Sequence, residues 1–108
     1  MASTPLTATS EPFDGGVRVR FTGELDIATA PRAEEEIRAS EEQQPDTLAV
    51  DLSGLSFMDS TGLRLIVAAA ARARDVGRRL IVVRGPDPVH RVLELTGLDS
   101  RLEIVESI

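Results

Sequence analysis

The chain contains no cysteine, which removes disulfides, thiolate metal sites and thiol nucleophiles from its chemistry. It also lacks any uninterrupted apolar stretch near the roughly 20 residues that a membrane-spanning helix needs, so no membrane association is expected. Met1 to Ser10 has neither the basic start nor the apolar run of a secretory signal, and the expected location is cytoplasmic. Lysine is missing as well: the 12 basic residues are all arginine and face 18 acidic ones, for a formal net charge of -6. Binding nucleic acid depends on cations that neutralise phosphates, so no direct nucleic-acid partner is expected. With one histidine, no Gly-rich phosphate loop and no metal-ligand spacing, the sequence offers no evident hydrolase site, and neither a cofactor nor a metal is expected. The lone His90 reads as a solvent-facing helical residue.

What is present fits one domain. The 108 residues are 42% apolar, ordinary for a globular chain with a single core, and 1–108 reads as one unit with residues 1–5 flexible. Leu6 to Phe13 reads as an irregular edge strand, and Asp14, Gly15 and Gly16 as the turn into a second strand, where Val17, Val19 and Phe21 alternate with polar neighbours. Gly23 would end that strand. Ile27, Ala30, Ala33 and Ile37 then follow helical spacing, with Thr29 as cap, Pro31 in the first turn, and Glu34, Glu35 and Glu36 as a solvated face. Leu48 to Leu52 is a short central strand. From Ser60, the apolar positions Leu63, Ile66, Val67, Ala70 and Ala73 mark a long helix whose last turn gathers Arg72, Arg74, Arg78 and Arg79 near the negative end of its dipole. Leu80 to Val83 is another strand, Asp87 is placed to cap a third helix that Gly97 would end, and Leu102, Ile104 and Val105 suit a last edge strand. Strands alternating with helices imply an α/β fold: a small mixed sheet, mostly parallel with an antiparallel opening strand, packed with helices.

In such sheets functional sites lie beyond the carboxyl ends of the parallel strands, which points at the stretch from Ser53 to Leu63. Phe57 and Met58 place apolar bulk beside two hydroxyls and a carboxylate, a mixture suited to a partner surface. The helix opening at Asp59 or Ser60 has amides without internal acceptors, so it can accommodate an anion such as a phosphoserine. Gly62 would let a partner approach the backbone. Taken by themselves, Asp59 and Ser60 read as plain helix caps, and Phe57 and Met58 as core residues.

Three segments together carry a family likeness: Gly23-Glu24-Leu25-Asp26, Asp51-Leu52-Ser53, and Phe57-Met58-Asp59-Ser60-Thr61-Gly62-Leu63 opening a helix. From about Val17 to Ile104 the chain resembles a STAS domain of the bacterial anti-sigma-factor antagonist type. The resemblance implies partner switching. The unphosphorylated antagonist would bind an anti-sigma factor that is itself a serine kinase, and so release a sigma factor; phosphorylation would end the complex, and a serine phosphatase would reset it. It also implies that Ser60 is the phosphoacceptor and Asp59 the adjoining carboxylate. Asp26 would belong to the kinase-facing surface, and Phe57, Met58, Thr61, Gly62 and Leu63 to the same partner-binding region. Thr61 offers a second hydroxyl. Many members carry a further helix after the last strand, whereas this sequence stops at Ile108. The alternative within the fold is a non-catalytic scaffold or accessory subunit of a stress-sensing assembly or transporter.

Overall fold

The structure, a computed structural model, describes residues 5–108, so the flexibility expected of residues 1–5 falls, for 1–4, outside the described residues. Strand β1 (Thr7–Phe13) pairs antiparallel with β2 (Gly16–Leu25), Phe13 opposite Gly16 across a two-residue turn of Asp14 and Gly15. Three crossovers come next, each carrying a helix: α1 (Ala30–Glu41) leads to β3 (Thr47–Met58), α2 (Ser60–Val76) to β4 (Arg79–Val83), and α3 (Asp87–Leu95) to β5 (Glu103–Val105). The sheet runs in chain order, β1-β2-β3-β4-β5, and all pairs after the first are parallel. The fold is therefore the mixed, mostly parallel α/β sheet that the pattern of elements implies.

Strands laid down in chain order by right-handed crossovers place their helices on one face. The core obeys that rule: Val17, Val19 and Phe21 of β2, Leu48, Val50 and Leu52 of β3 and Val82 of β4 join Ile37, Ile66, Ala69, Val89 and Leu93 in one buried cluster. The intervening residues turn to the other face. There Asp51, 2% exposed, accepts from the Ser53 amide at 2.9 Å, the Ser53 hydroxyl at 2.6 Å and Arg20 Nε at 3.1 Å. Burial alone would push this carboxyl up, but the bonds from Ser53 and Arg20 outweigh it and hold it below the usual carboxylate range. The Asp51-Leu52-Ser53 segment is thus built from inside: its leucine fills the core and its polar pair closes on itself.

Several local expectations give way to tertiary structure. β2 does not stop at Gly23 but passes through it with φ +104, a conformation open to glycine, and continues to Leu25 because β3 continues beside it as far as Met58. Ile27 lies before α1 and is 77% exposed, so it is no part of the helix's apolar stripe. Thr29 sits at the cap position without a side-chain bond to the helix. At α3 the cap is Pro86, with Asp87 the first helical residue. The arginines around the end of α2 act as ties: Arg72 Nε reaches both Glu41 oxygens at 3.0 Å, Arg78 Nε donates to Pro45 O at 3.0 Å, and Arg79 pairs with Glu103. His90 is buried at 9% exposure, on the inner side of α3 with Val89 and Leu93, where the sequence pattern predicts a solvent-facing residue.

Candidate functional site

β2 and β3 end level with each other. Leu25 pairs with Met58, and the Asp59 amide donates to Leu25 O at 3.2 Å, so the turn after β2 and the start of α2 emerge side by side at the carboxyl end of the sheet. Before reaching that end β3 bulges twice. From Arg20 to Thr22 in β2 the partner strand advances from Asp51 to Gly54, and from Gly23 to Glu24 it advances from Leu55 to Phe57. Each extra residue resets the side-chain alternation and re-aims the side chains beyond it. Leu55 points inward, Phe57 is 46% exposed, and Met58 is back in the core at 2%.

Asp59 then caps α2. Its backbone is extended (φ -107°, ψ -170°) and its Oδ1 accepts from the Thr61 amide at 2.9 Å. Ser60, the first helical residue, is exposed, and its hydroxyl makes no hydrogen bond among the described residues. Thr61 is half-buried. Gly62 and Leu63 face inward, and a Cβ on Gly62 would stand 2.7 Å from Met58 Cγ and 2.8 Å from Leu25 Cδ2. Gly62 is therefore needed for close packing beneath the turn. The sequence reading assigns Met58, Gly62 and Leu63 to partner contact; the structure places them under the site, where they hold its shape.

On the neighbouring turn, Asp26 Oδ1 accepts from the amides of Ala28 (3.0 Å) and Thr29 (3.1 Å), which makes Asp26 a turn-forming residue. The Thr29 hydroxyl donates to Glu24 O at 2.9 Å and accepts from the Asp26 amide at 3.0 Å. This tightly bonded turn carries Ile27 outward. Ile27 is the site residue that the sequence reading misses. A signal for it exists, because Thr29 and Pro31 mark the helix start after it and so remove it from the helical register. The sheet end thus gathers two exposed apolar side chains, Ile27 and Phe57, with Asp26, Asp59 and an uncommitted serine hydroxyl.

Residues 8–108 match the STAS domain. The chain belongs to the STAS domain family. It is similar to the anti-sigma-B factor antagonist of Listeria monocytogenes, 35% identical over 88 residues that span 82% of this chain and 77% of that protein. The anti-sigma-B factor antagonist of Staphylococcus aureus is 31% identical over 100 residues, 93% of this chain and 90% of that one. Among solved structures, an anti-sigma factor antagonist from Mycobacterium paratuberculosis superposes with a TM-score of 0.84 at 30% identity, covering 99% of this chain and 92% of its own. In this STAS domain the segments that suggest the family have distinct physical jobs. Gly23 to Asp26 ends β2 and builds the turn that presents Ile27, Asp51 to Ser53 anchors β3, and Phe57 to Leu63 presents Phe57 and Ser60 from a buried bed. No helix of the described residues is long and apolar enough to cross a membrane.

Proposed function

We propose that this STAS domain is an anti-sigma factor antagonist switched by phosphorylation of Ser60. The unphosphorylated form docks its sheet end on an anti-sigma factor that is also a serine kinase, with Ile27 and Phe57 as apolar anchors and Asp26 and Asp59 at the rim, and a sigma factor is released. The kinase transfers a phosphoryl group to Ser60, the complex ends, and a serine phosphatase restores the hydroxyl. The observation that carries this reading is the Ser60 hydroxyl, exposed and without a hydrogen bond among the described residues on the first residue of α2, at the strand end where Phe57 is also exposed.

The electrostatics support a sharp switch. Phosphate would add about -1.5 to -2 charges at neutral pH. A helix start welcomes an anion, but here a carboxylate already occupies it through Thr61, so the phosphate must share the positive end of α2 with Asp59. A partner covering this surface has to strip water from that doubled charge. Because each 1.4 kcal/mol is about tenfold in affinity, a penalty of a few kcal/mol takes a tight complex to a weak one.

The test is incubation with the cognate kinase and ATP, location of the phosphate by mass spectrometry, and comparison of the kinase affinities of the two forms. Phosphate on Ser60 and an affinity loss of about a hundredfold or more are expected. Ser60→Ala should bind whether or not ATP is present, and Ser60→Asp should bind weakly. Equal affinity of the modified and unmodified forms would reject the switch.

A further inference from the structure

Away from that site, α3 carries His90 and Glu94 one turn apart, so both project from the same side of the helix. Gly97, with φ +75, ends the helical run and folds the chain back into a short 3-10 turn at Leu98–Ser100. That reversal brings Asp99 against the other two: a ring nitrogen of His90 and a carboxylate oxygen from each of Glu94 and Asp99 all lie within 4.8 Å of one another. His90 is nine-tenths buried, and its Nδ1 is sealed from water without a hydrogen-bond partner among the described residues.

Such an arrangement is costly if left to itself. A buried, unpartnered imidazole nitrogen loses its hydration, and two carboxylates brought together repel. A divalent cation held between the three donors offsets the repulsion of the carboxylates and gives the imidazole a positive charge to bind. We infer that His90, Glu94 and Asp99 form a binding site for a divalent transition metal of the Zn²⁺ class, with three protein donors and an open fourth position. The donor set selects the class: imidazole nitrogen suits zinc and its neighbours, whereas Mg²⁺ and Ca²⁺ take oxygen ligands. Ligands about 2.0–2.2 Å from a tetrahedral ion lie roughly 3.4 Å apart. Glu94 is exposed and its torsions are free to close the gap, while His90 is already held by the packing around it. The spacing does not show as a metal motif in the sequence because the third donor lies beyond the end of the helix and arrives only through the turn at Gly97. A bound ion would pin the end of α3 to the segment leading into β5.

The test uses the full chain, free of any affinity tag and stripped with a chelator, titrated with ZnCl2 while the ring C–H resonances of the histidine are tracked by NMR. The chain has 1 histidine, so these signals report His90 without ambiguity. Saturation at one equivalent with displaced ring resonances is expected, and Mg²⁺ at the same concentration should leave them in place. Glu94→Gln and Asp99→Asn keep size and shape on the surface, so both should fold as the parent does by circular dichroism. Each should weaken Zn²⁺ binding at least tenfold, since even outer-shell changes at metal sites cost about 10- to 100-fold. Ring resonances unmoved by Zn²⁺, an equal response to Mg²⁺, or undiminished binding in both variants would overturn the assignment.

Discussion

Two strand-to-helix turns stand next to each other at the carboxyl end of the sheet, built from the same chemistry but bonded in opposite ways. The turn from β2 to α1 has Asp26 and the hydroxyl of Thr29, and both are consumed in holding it: Asp26 Oδ1 takes two amides, and the hydroxyl bridges Glu24 O and the Asp26 amide. The step from β3 into α2 has Asp59 and the hydroxyl of Ser60. There one side-chain bond, from the Thr61 amide to Asp59, joins the backbone bonds that close the turn, and the hydroxyl is left without a partner among the described residues. A hydroxyl that holds a turn together cannot also be a handle, because modifying it removes its bonds. Under the proposed switch, the free one is modified without breaking a bond of its turn. What relieves the second turn of needing more bonds is its bed: the buried Met58, Gly62 and Leu63 fix it from below.

That contrast is broken most forcefully at the bed. Gly62→Val places a Cβ within 2.7 Å of Met58 Cγ and 2.8 Å of Leu25 Cδ2, and both neighbours are core residues with nowhere to retreat. Overpacking of this kind costs about 1–3 kcal/mol, and the upper end is expected here. Urea unfolding measures it; an unshifted midpoint would mean that the space above the glycine, not below it, matters. Next in size is Asp26→Ala, which strips the Ala28 amide of its acceptor and leaves the Thr29 amide only the Asp26 carbonyl. A loss of about 1–2 kcal/mol is expected by the same assay, and Asp26→Asn, which keeps an acceptor oxygen, should recover most of it. Kinase affinity unaltered by either change would take Asp26 out of the docking surface.

How much of the molecule is legible in its sequence divides along the same line. The alternation of Val17, Val19 and Phe21 and the helical spacing of Leu63, Ile66, Ala70 and Ala73 are local patterns, and they give the sheet, its helices and the α2 start correctly. The cap at Asp59 is also local chemistry. The orientation of Phe57 and Met58 is not, because two bulges in β3 decide it, and a bulge depends on the partner strand. Gly23 looks like a terminator until the neighbouring strand is known to run on. His90 shows the same limit: its position on α3 is readable, but which side faces the core depends on where Val89 and Leu93 dock. Ile27 is exposed because the bonds of Asp26 and Thr29 set the turn, a tertiary outcome with only a faint trace in the spacing to Pro31.

The smaller effects sharpen the comparison. Asp59→Ala removes the cap of α2 and should cost about 1 kcal/mol, whereas Asp59→Asn retains the acceptor for Thr61 and should cost little. The asparagine variant also removes the charge that the phosphate has to sit beside. Its phosphorylated form should then bind the kinase less weakly than phosphorylated wild type does, and an identical affinity ratio would assign the whole penalty to the phosphate itself.

Smallest of all is Ser60→Ala, set against Thr29→Ala. Each deletes one hydroxyl from neighbouring turns, Thr29→Ala with a γ-methyl besides, so location is matched and the bonding is the main difference. Thr29→Ala leaves the half-buried Asp26 amide without its acceptor and should cost about 1 kcal/mol. Ser60→Ala deletes an oxygen that bonds to nothing among the described residues, in a helix where alanine is well tolerated, and its stability should stay within about 0.5 kcal/mol of the parent. Loss of as much stability at Ser60 as at Thr29 would show that the hydroxyl does hold the turn, and a kinase would then be dismantling the site it modifies. Near-neutral stability with complete loss of phosphorylation separates the two roles cleanly: one turn is kept by its hydroxyl, the other only carries it.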